Sequence, residues 1–165
     1  IAITFDDGPD PIQTPKVLKV LREKHIPACF FCIGNKIKGN EELLRQIIKE
    51  GHRIGNHSFS HSGYFPLYTF KRMCHDLITC QQELEKVTGL GYIPIGWNIR
   101  TLDTQQPTPE KIIKRIKKRL VPGSILLLHD RMPDSDRLLV QVLDFIEKEG
   151  YTVVALDRLI KDMTK

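Results

Sequence analysis

The sequence predicts an α/β fold organised around a parallel sheet. Three observations carry this. Short apolar runs of strand length alternate with longer runs whose apolar residues recur at helical spacing. The short runs are nearly continuous in apolar residues, as burial on both faces of a parallel sheet requires. Acids and histidines collect where these runs end, at Asp6 and Asp7, His57 and His61, Arg100 and Asp103, and His129 and Asp130. The carboxyl ends of strands are where α/β barrels place their active sites. A chain of 165 residues suits one domain, spanning 1–165, and its apolar share of 41% is that of a globular protein.

Each element can be justified in order. Ile1–Phe5 is a short core strand ending in acids. Thr14–His25 carries Val17, Leu18, Val20 and Leu21 among charges and reads as a helix. Ala28–Ile33 is a strand. Glu41–Glu50 repeats Leu43, Leu44, Ile47 and Ile48 as a helix, stopped by Gly51. Arg53–His57 is a strand, and Thr69–Thr88 a long helix with Met73, Leu77, Cys80, Leu84 and Val87 on one face. Tyr92–Ile99 is a strand. Pro109–Leu120 is a helix with Thr108 at its N-cap and proline in its first turn. Ser124–His129 is a strand, Asp134–Glu149 a helix closed by Gly150, Thr152–Ala155 a last strand and Leu156–Met163 a last helix. Strand-helix-strand units of this kind cross over right-handed and build a parallel sheet.

The net charge of +5 could suit an anionic partner. Six of the nine residues from Lys111 to Arg119 are basic, but Ile112, Ile113 and Ile116 interleave with them. That pattern is the wet face of an amphipathic helix, and without aromatic residues to stack bases it gives no support to nucleic acid as a partner. No apolar run approaches the length of a transmembrane segment. The four cysteines are Cys29, Cys32, Cys74 and Cys80. Cys29 and Cys32 have CxxC spacing, yet residues three apart in a strand point to opposite faces and cannot share one metal. Buried thiols are the simpler reading.

Taken singly, the polar motifs are ambiguous. Asp6-Asp7 could bind a metal or shape the turn at Gly8-Pro9. In His57-Ser58-Phe59-Ser60-His61 the two imidazoles are four apart, which on a helical turn places them on one face, able to share a cation. His129 is either a catalytic group delivered by a buried strand or a core histidine. Together they are more specific. Two histidines and a carboxylate with one open position form a common catalytic metal set, suited to Zn²⁺ and tolerant of Co²⁺ or Ni²⁺. A second carboxylate can take a proton from water, and a further histidine can give one to a leaving group.

Thr4-Phe5-Asp6-Asp7-Gly8-Pro9, His57-Ser58-Phe59-Ser60-His61 and Leu127-Leu128-His129-Asp130, in this order, resemble the motifs of the polysaccharide deacetylase family, the NodB-homology domain or carbohydrate esterase family 4. The resemblance implies a distorted (β/α) barrel of about seven parallel strands. It implies removal of acetyl groups from N-acetylated sugars, with a carbohydrate polymer or oligomer as substrate and a location in the cell envelope or outside the cell. It casts Asp6 as general base, His129 as general acid, and Asp7, His57 and His61 as metal ligands. Leu127 would line the acetyl pocket, with Trp97 as a second substrate contact. The chain starts at Ile1, so any signal peptide or anchor would lie outside it, and nothing in the sequence sets the oligomeric state.

Two departures from the family pattern stand out. A middle motif, an Arg-Pro-Pro-aromatic-Gly strand ending whose arginine orients the base, has no counterpart. One βα unit of roughly 20–25 residues is missing after Gly89. The unit either belongs to the protein outside this sequence or is truly deleted, which would leave an inactive carbohydrate-binding pseudo-enzyme. An amidase acting on a small amide or imide is a further alternative. In addition, Arg100 and Thr104 stand where many members have aspartate and tryptophan. Arg100 either tethers Asp6 through a bidentate ion pair or is a surface or loop-anchoring arginine.

Overall fold

The computed structural model describes residues 1–88 and 96–163. Five parallel strands, β1 (Ala2–Gly8), β2 (Cys29–Cys32), β3 (Arg53–Asn56), β4 (Ile99–Arg100) and β5 (Ile125–His129), form one sheet in the order β3-β2-β1-β5-β4. Between them in the chain lie α1 (Thr14–Glu23), α2 (Glu41–Lys49), α3 (Phe70–Thr88) and α4 (Pro109–Lys117), and α5 (Ser135–Lys148) and α6 (Leu156–Met163) follow β5. The expected α/β class and parallel sheet are both found.

Strand alternation sorts the side chains into two layers. Ile3 and Phe5 of β1, Phe30 of β2, and Leu126 and Leu128 of β5 face the main core. There they meet Val17, Leu18 and Leu21 of α1, Leu44 and Ile47 of α2, Ile112 and Ile116 of α4, and Leu139, Val142 and Ile146 of α5. Each fully buried aliphatic side chain of this set is worth about 1.5–3 kcal/mol against exposure. The helices stop where expected: Gly51 and Gly150 follow α2 and α5 with φ of +86° and +80°, the left-handed region glycine enters without strain. On the other face of the sheet Ala2 and Cys29 pack against Leu156 and Leu159 of α6. Cys32 joins the main core instead, so the two CxxC sulfurs diverge as strand geometry requires. All four cysteines are free, three of them buried.

Among the described residues the sheet has five strands, against the expected seven. Of Tyr92–Ile99, the first four residues lie outside the described residues, as does the expected break after Gly89, and the remainder yields only the two-residue β4. Thr152–Ala155 makes no ladder. It exchanges two hydrogen bonds with Ile1, of 2.9 and 3.0 Å, and turns at once into α6. Among the described residues β3 and β4 are therefore sheet edges, and the barrel is open between them. On α3 only Cys80 and Leu84 are buried, where it packs on α2, the Gly34–Lys36 turn and the edge strand β3; Leu77, expected on the inner face, is exposed.

Candidate active site

The site lies at the carboxyl ends of β1, β3 and β5, on the sheet face that α6 covers lower down. Asp6 pairs in register with His129, and Thr4 with Leu127. Asp6 thus points the same way as Thr4 and Ala2, and Leu127 lies on the same face one step below His129.

Consecutive strand residues should point to opposite faces, yet Asp6 and Asp7 are both buried at one site. The register explains it. Asp6 pairs with Phe31 and Gly8 with Cys32, leaving Asp7 unpaired in a bulge with φ of +71°. The bulge turns the second carboxylate beside the first. Lys36, from the short 3₁₀ turn at Gly34–Lys36, donates to the Asp7 carbonyl at 2.8 Å and holds this conformation.

His57 and His61 lie close, but not on a helical turn. The segment after β3 is irregular, with Ser58 and His61 at φ of +63° and +44°. Within it the two rings stack with centroids 4.8 Å apart. Their Nε2 atoms lie 3.3 and 3.2 Å from Asp7 Oδ1. That oxygen is buried and has no hydrogen-bond partner. Among the described residues, Asp7, His57 and His61 are the one set of ligand-bearing side chains whose donor atoms cluster closely enough for a metal ion. An orphaned carboxylate oxygen facing two imidazole nitrogens fits a divalent cation.

The flanking groups are held from behind. His129 is buried, and Asp103 Oδ1 accepts from its ring Nδ1 at 2.8 Å, while Asp103 Oδ2 accepts from its backbone N–H at 2.8 Å. Nε2 is left facing the site, 3.9 Å from Asp7 Oδ2. The Thr101 hydroxyl, 2.9 Å from Asp103 Oδ1 and 2.8 Å from the Leu127 carbonyl, ties Asp103 to β5. Arg131 Nε donates to Asp7 Oδ2 at 2.9 Å.

These surroundings set the charges. Burial raises the Asp6 carboxyl to about 6, with Asp7 and Asp103 adding to the rise and His57 and His129 opposing it. Burial also acts to raise Asp7. His57 and Arg131, with the charges of His61 and His129, more than reverse this and hold it well below the usual carboxylate range. Burial lowers His61. Burial would lower His129 as well, but the Asp103 hydrogen bond and charge, then Asp7 and Asp6, raise it overall. Two neighbouring carboxylates are thus driven apart, one retaining its proton to higher pH and one firmly ionised. Beside the imidazoles runs an open cleft of about 470 Å³, lined by His57, His61, Phe65, Pro66 and Leu77.

Two expected site residues are not brought here. Arg100 does not reach Asp6. It shares the site face with Leu127, its partner in register, but β5 stands between it and Asp6 on β1, and its side chain is exposed at the sheet edge, with the guanidinium 5.8 Å from the Trp97 ring centre. Trp97 precedes β4 and stands level with the start of β5, at the amino end of the sheet, about 15 Å of strand below His129. The residues that do partner the site acids and histidine are Asp103, named above at a strand end but given no role, and Arg131, which the motifs did not single out. Both follow strand tips, and Asp103 lies in the same polar run as Arg100.

A profile described as polysaccharide deacetylase matches residues 1–97. A peptidoglycan-N-acetylglucosamine deacetylase of Bacillus cereus is 32% identical, over 98% of this chain and 88% of its own length. That alignment runs over 188 positions against 165 residues here, so the relative carries positions with no counterpart in this chain. A chitooligosaccharide deacetylase of Sinorhizobium fredii is 30% identical over 97% of this chain and 83% of its own. The structure of the peptidoglycan deacetylase PdaC from Bacillus subtilis superposes with a TM-score of 0.85 at 26% identity, covering 97% of this chain and 89% of that one. With its three motifs converging at one end of a matching fold, the chain belongs to the polysaccharide deacetylase family.

Proposed function

We propose that this protein is a metal-dependent hydrolase that removes acetyl groups from N-acetylated sugars of a polysaccharide or peptidoglycan, in the cell envelope or outside the cell. The observation that carries the reading is the convergence of Asp6, 3.6 Å from His57, and His129, 3.9 Å from Asp7, on the Asp7–His57–His61 cluster. The relatives named for peptidoglycan and chitooligosaccharides support the substrate class.

Asp7, His57 and His61 would hold the metal, with Zn²⁺ the best match to two imidazoles and a carboxylate and Co²⁺ or Ni²⁺ as substitutes. When bound, such an ion supplies Lewis acidity toward the acetyl carbonyl and lowers the pKa of water. The protein's own groups move the protons. Asp6, once ionised, accepts a proton from the water that adds to the acetyl carbon. An amine leaves poorly unless protonated, so His129 Nε2–H gives its proton to the sugar nitrogen as the C–N bond breaks. Acetate and the free amine result. Asp103 keeps Nδ1 engaged, so that Nε2 is the nitrogen that delivers. Arg131 occupies Asp7 Oδ2 and leaves Oδ1 toward the imidazoles. Leu127, beneath His129, supplies an apolar floor for the acetyl methyl.

Acetate release by the Zn²⁺-loaded protein on chitin oligomers, peptidoglycan and acetylated xylan tests the reading. Release from the N-acetylated chitin oligomers or peptidoglycan is expected, whereas release from acetylated xylan alone would replace the N-deacetylase reading with an O-acetyl esterase. Sugar binding without acetate would replace it with a carbohydrate-binding pseudo-enzyme, and turnover confined to small amides would replace the substrate class.

A further inference from the structure

The His57–His61 segment carries two imidazoles yet has no secondary structure of its own, and two of its residues sit in the left-handed region. One brace is internal, the Ser58 hydroxyl accepting from the His61 N–H at 3.0 Å, and the others come from outside the segment. On one side the turn at Gly34 and Asn35 donates to the carbonyls of Ser58 and Phe59, at 2.9 and 3.0 Å. On the other side stands Asp76 of α3. Its Oδ2 accepts from the Phe59 N–H at 2.8 Å, and its two oxygens lie 3.2 and 3.3 Å from the Ser60 nitrogen. Asn56 adds a brace, accepting from the Ser58 N–H at 2.9 Å while its amide donates to the Leu77 carbonyl of α3.

We propose that Asp76 is a positioning residue of the metal site, presetting the His57–His61 loop so that both Nε2 atoms converge on Asp7 Oδ1 before any ion arrives. This rests on the metal-site reading above. Asp76 acts on the loop between the two imidazoles, through the backbone N–H groups of Phe59 and Ser60 and through the Ser58 and Ser60 hydroxyls, which together outweigh burial and lower its pKa. A carboxylate suits the place because it is acceptor-only, and two adjacent N–H groups point at it. An amide would turn an NH₂ toward one of them. Alanine would leave two half-buried donors unpaired and the loop free to relax toward ordinary backbone angles, parting the imidazoles.

The test is Zn²⁺ affinity of the full chain, by competition with a chromophoric chelator at fixed pH, for wild type, Asp76→Asn and Asp76→Ala. The dissociation constant should rise about 10-fold in Asp76→Asn and toward 100-fold in Asp76→Ala, the range seen when support behind metal ligands is lost. The accompanying loss of kcat/KM should be restored by saturating Zn²⁺. Affinities within twofold of wild type, even with a lowered Tm, would overturn the proposal and leave Asp76 a general fold contact. Should Asp76→Ala not fold, Asp76→Asn decides. A wild type that binds no Zn²⁺ would sink the metal-site reading and this inference together, whereas tight wild-type binding unchanged in the variants sinks the inference alone.

Discussion

Asp103 grips His129 at two points, taking the ring Nδ1–H on one oxygen and the backbone N–H on the other, both at 2.8 Å. The pair is buried, so the anion acts on the imidazole at low dielectric. Because His129 is raised and must be protonated to donate, activity should fall as pH climbs through its raised value. Asp103→Asn removes the charge that opposes burial, so the alkaline limb of the kcat/KM profile should move to lower pH. Turnover should fall about 100-fold or more. A variant profile that superimposes on wild type would exclude the assignment.

Asp6 supplies the opposite limb. Burial pushes it up to about 6, and the base works only when ionised, so kcat/KM should decline as pH falls through that region. With His129 this makes a bell. Asp6→Asn should lose roughly 10²–10⁴-fold in turnover. Zn²⁺ affinity should stay near wild type, since Asp6 stands beside the proposed ligand set rather than within it. Near wild-type turnover in both Asp6→Asn and His129→Ala would defeat the acid–base scheme.

Metal binding should be visible without any substrate. A ligand present at 100 times its dissociation constant stabilises the folded state by about 2.7 kcal/mol. For a chain of this size that is roughly 5–10 °C in Tm. Differential scanning fluorimetry with Zn²⁺ should show such a rise, a chelator should reverse it, and His61→Ala should abolish most of it by removing one of three ligands. An equal rise in His61→Ala would place the ion elsewhere.

Next to His129, Asp130 is wholly buried and hydrogen-bonded to Thr14, with its other oxygen unpartnered and packed against Gly8. Burial raises it from 3.8 to about 6. The folded protein therefore holds this proton longer than the unfolded chain does. The stabilisation is complete below the ordinary carboxylate value and is lost as pH rises through about 6. The difference amounts to at most about 3 kcal/mol. In urea titrations from pH 4 to 7.5, wild type should lose stability relative to Asp130→Asn as pH increases. Parallel curves would show that Asp130 stays in one charge state.

Much of this protein was readable in the order of its residues. Helix spacing located the six α-helices found among the described residues, Leu156–Met163 to the residue, because an amphipathic stripe is a local pattern. The motif residues Asp6, Asp7, His57, His61 and His129 were legible because their spacing is distinctive, and the divergence of Cys29 and Cys32 followed from the two-residue period of a strand. Other features depend on contacts between distant segments. The bulge that brings Asp7 beside Asp6 is a matter of register against β2, and the stacking of His57 on His61 comes from backbone clamps rather than a helical turn. Arg100 and Trp97 were natural candidates from their types. Arg100 is kept from Asp6 by β5, which lies between β4 and β1, and Trp97 by the end of β5 it stands beside. Asp103 and Arg131 became partners of the site by the same kind of long-range geometry, across 26 and 124 residues of sequence. A side chain's direction at a strand tip is set by the neighbours it packs against, and a linear pattern encodes period but not neighbour.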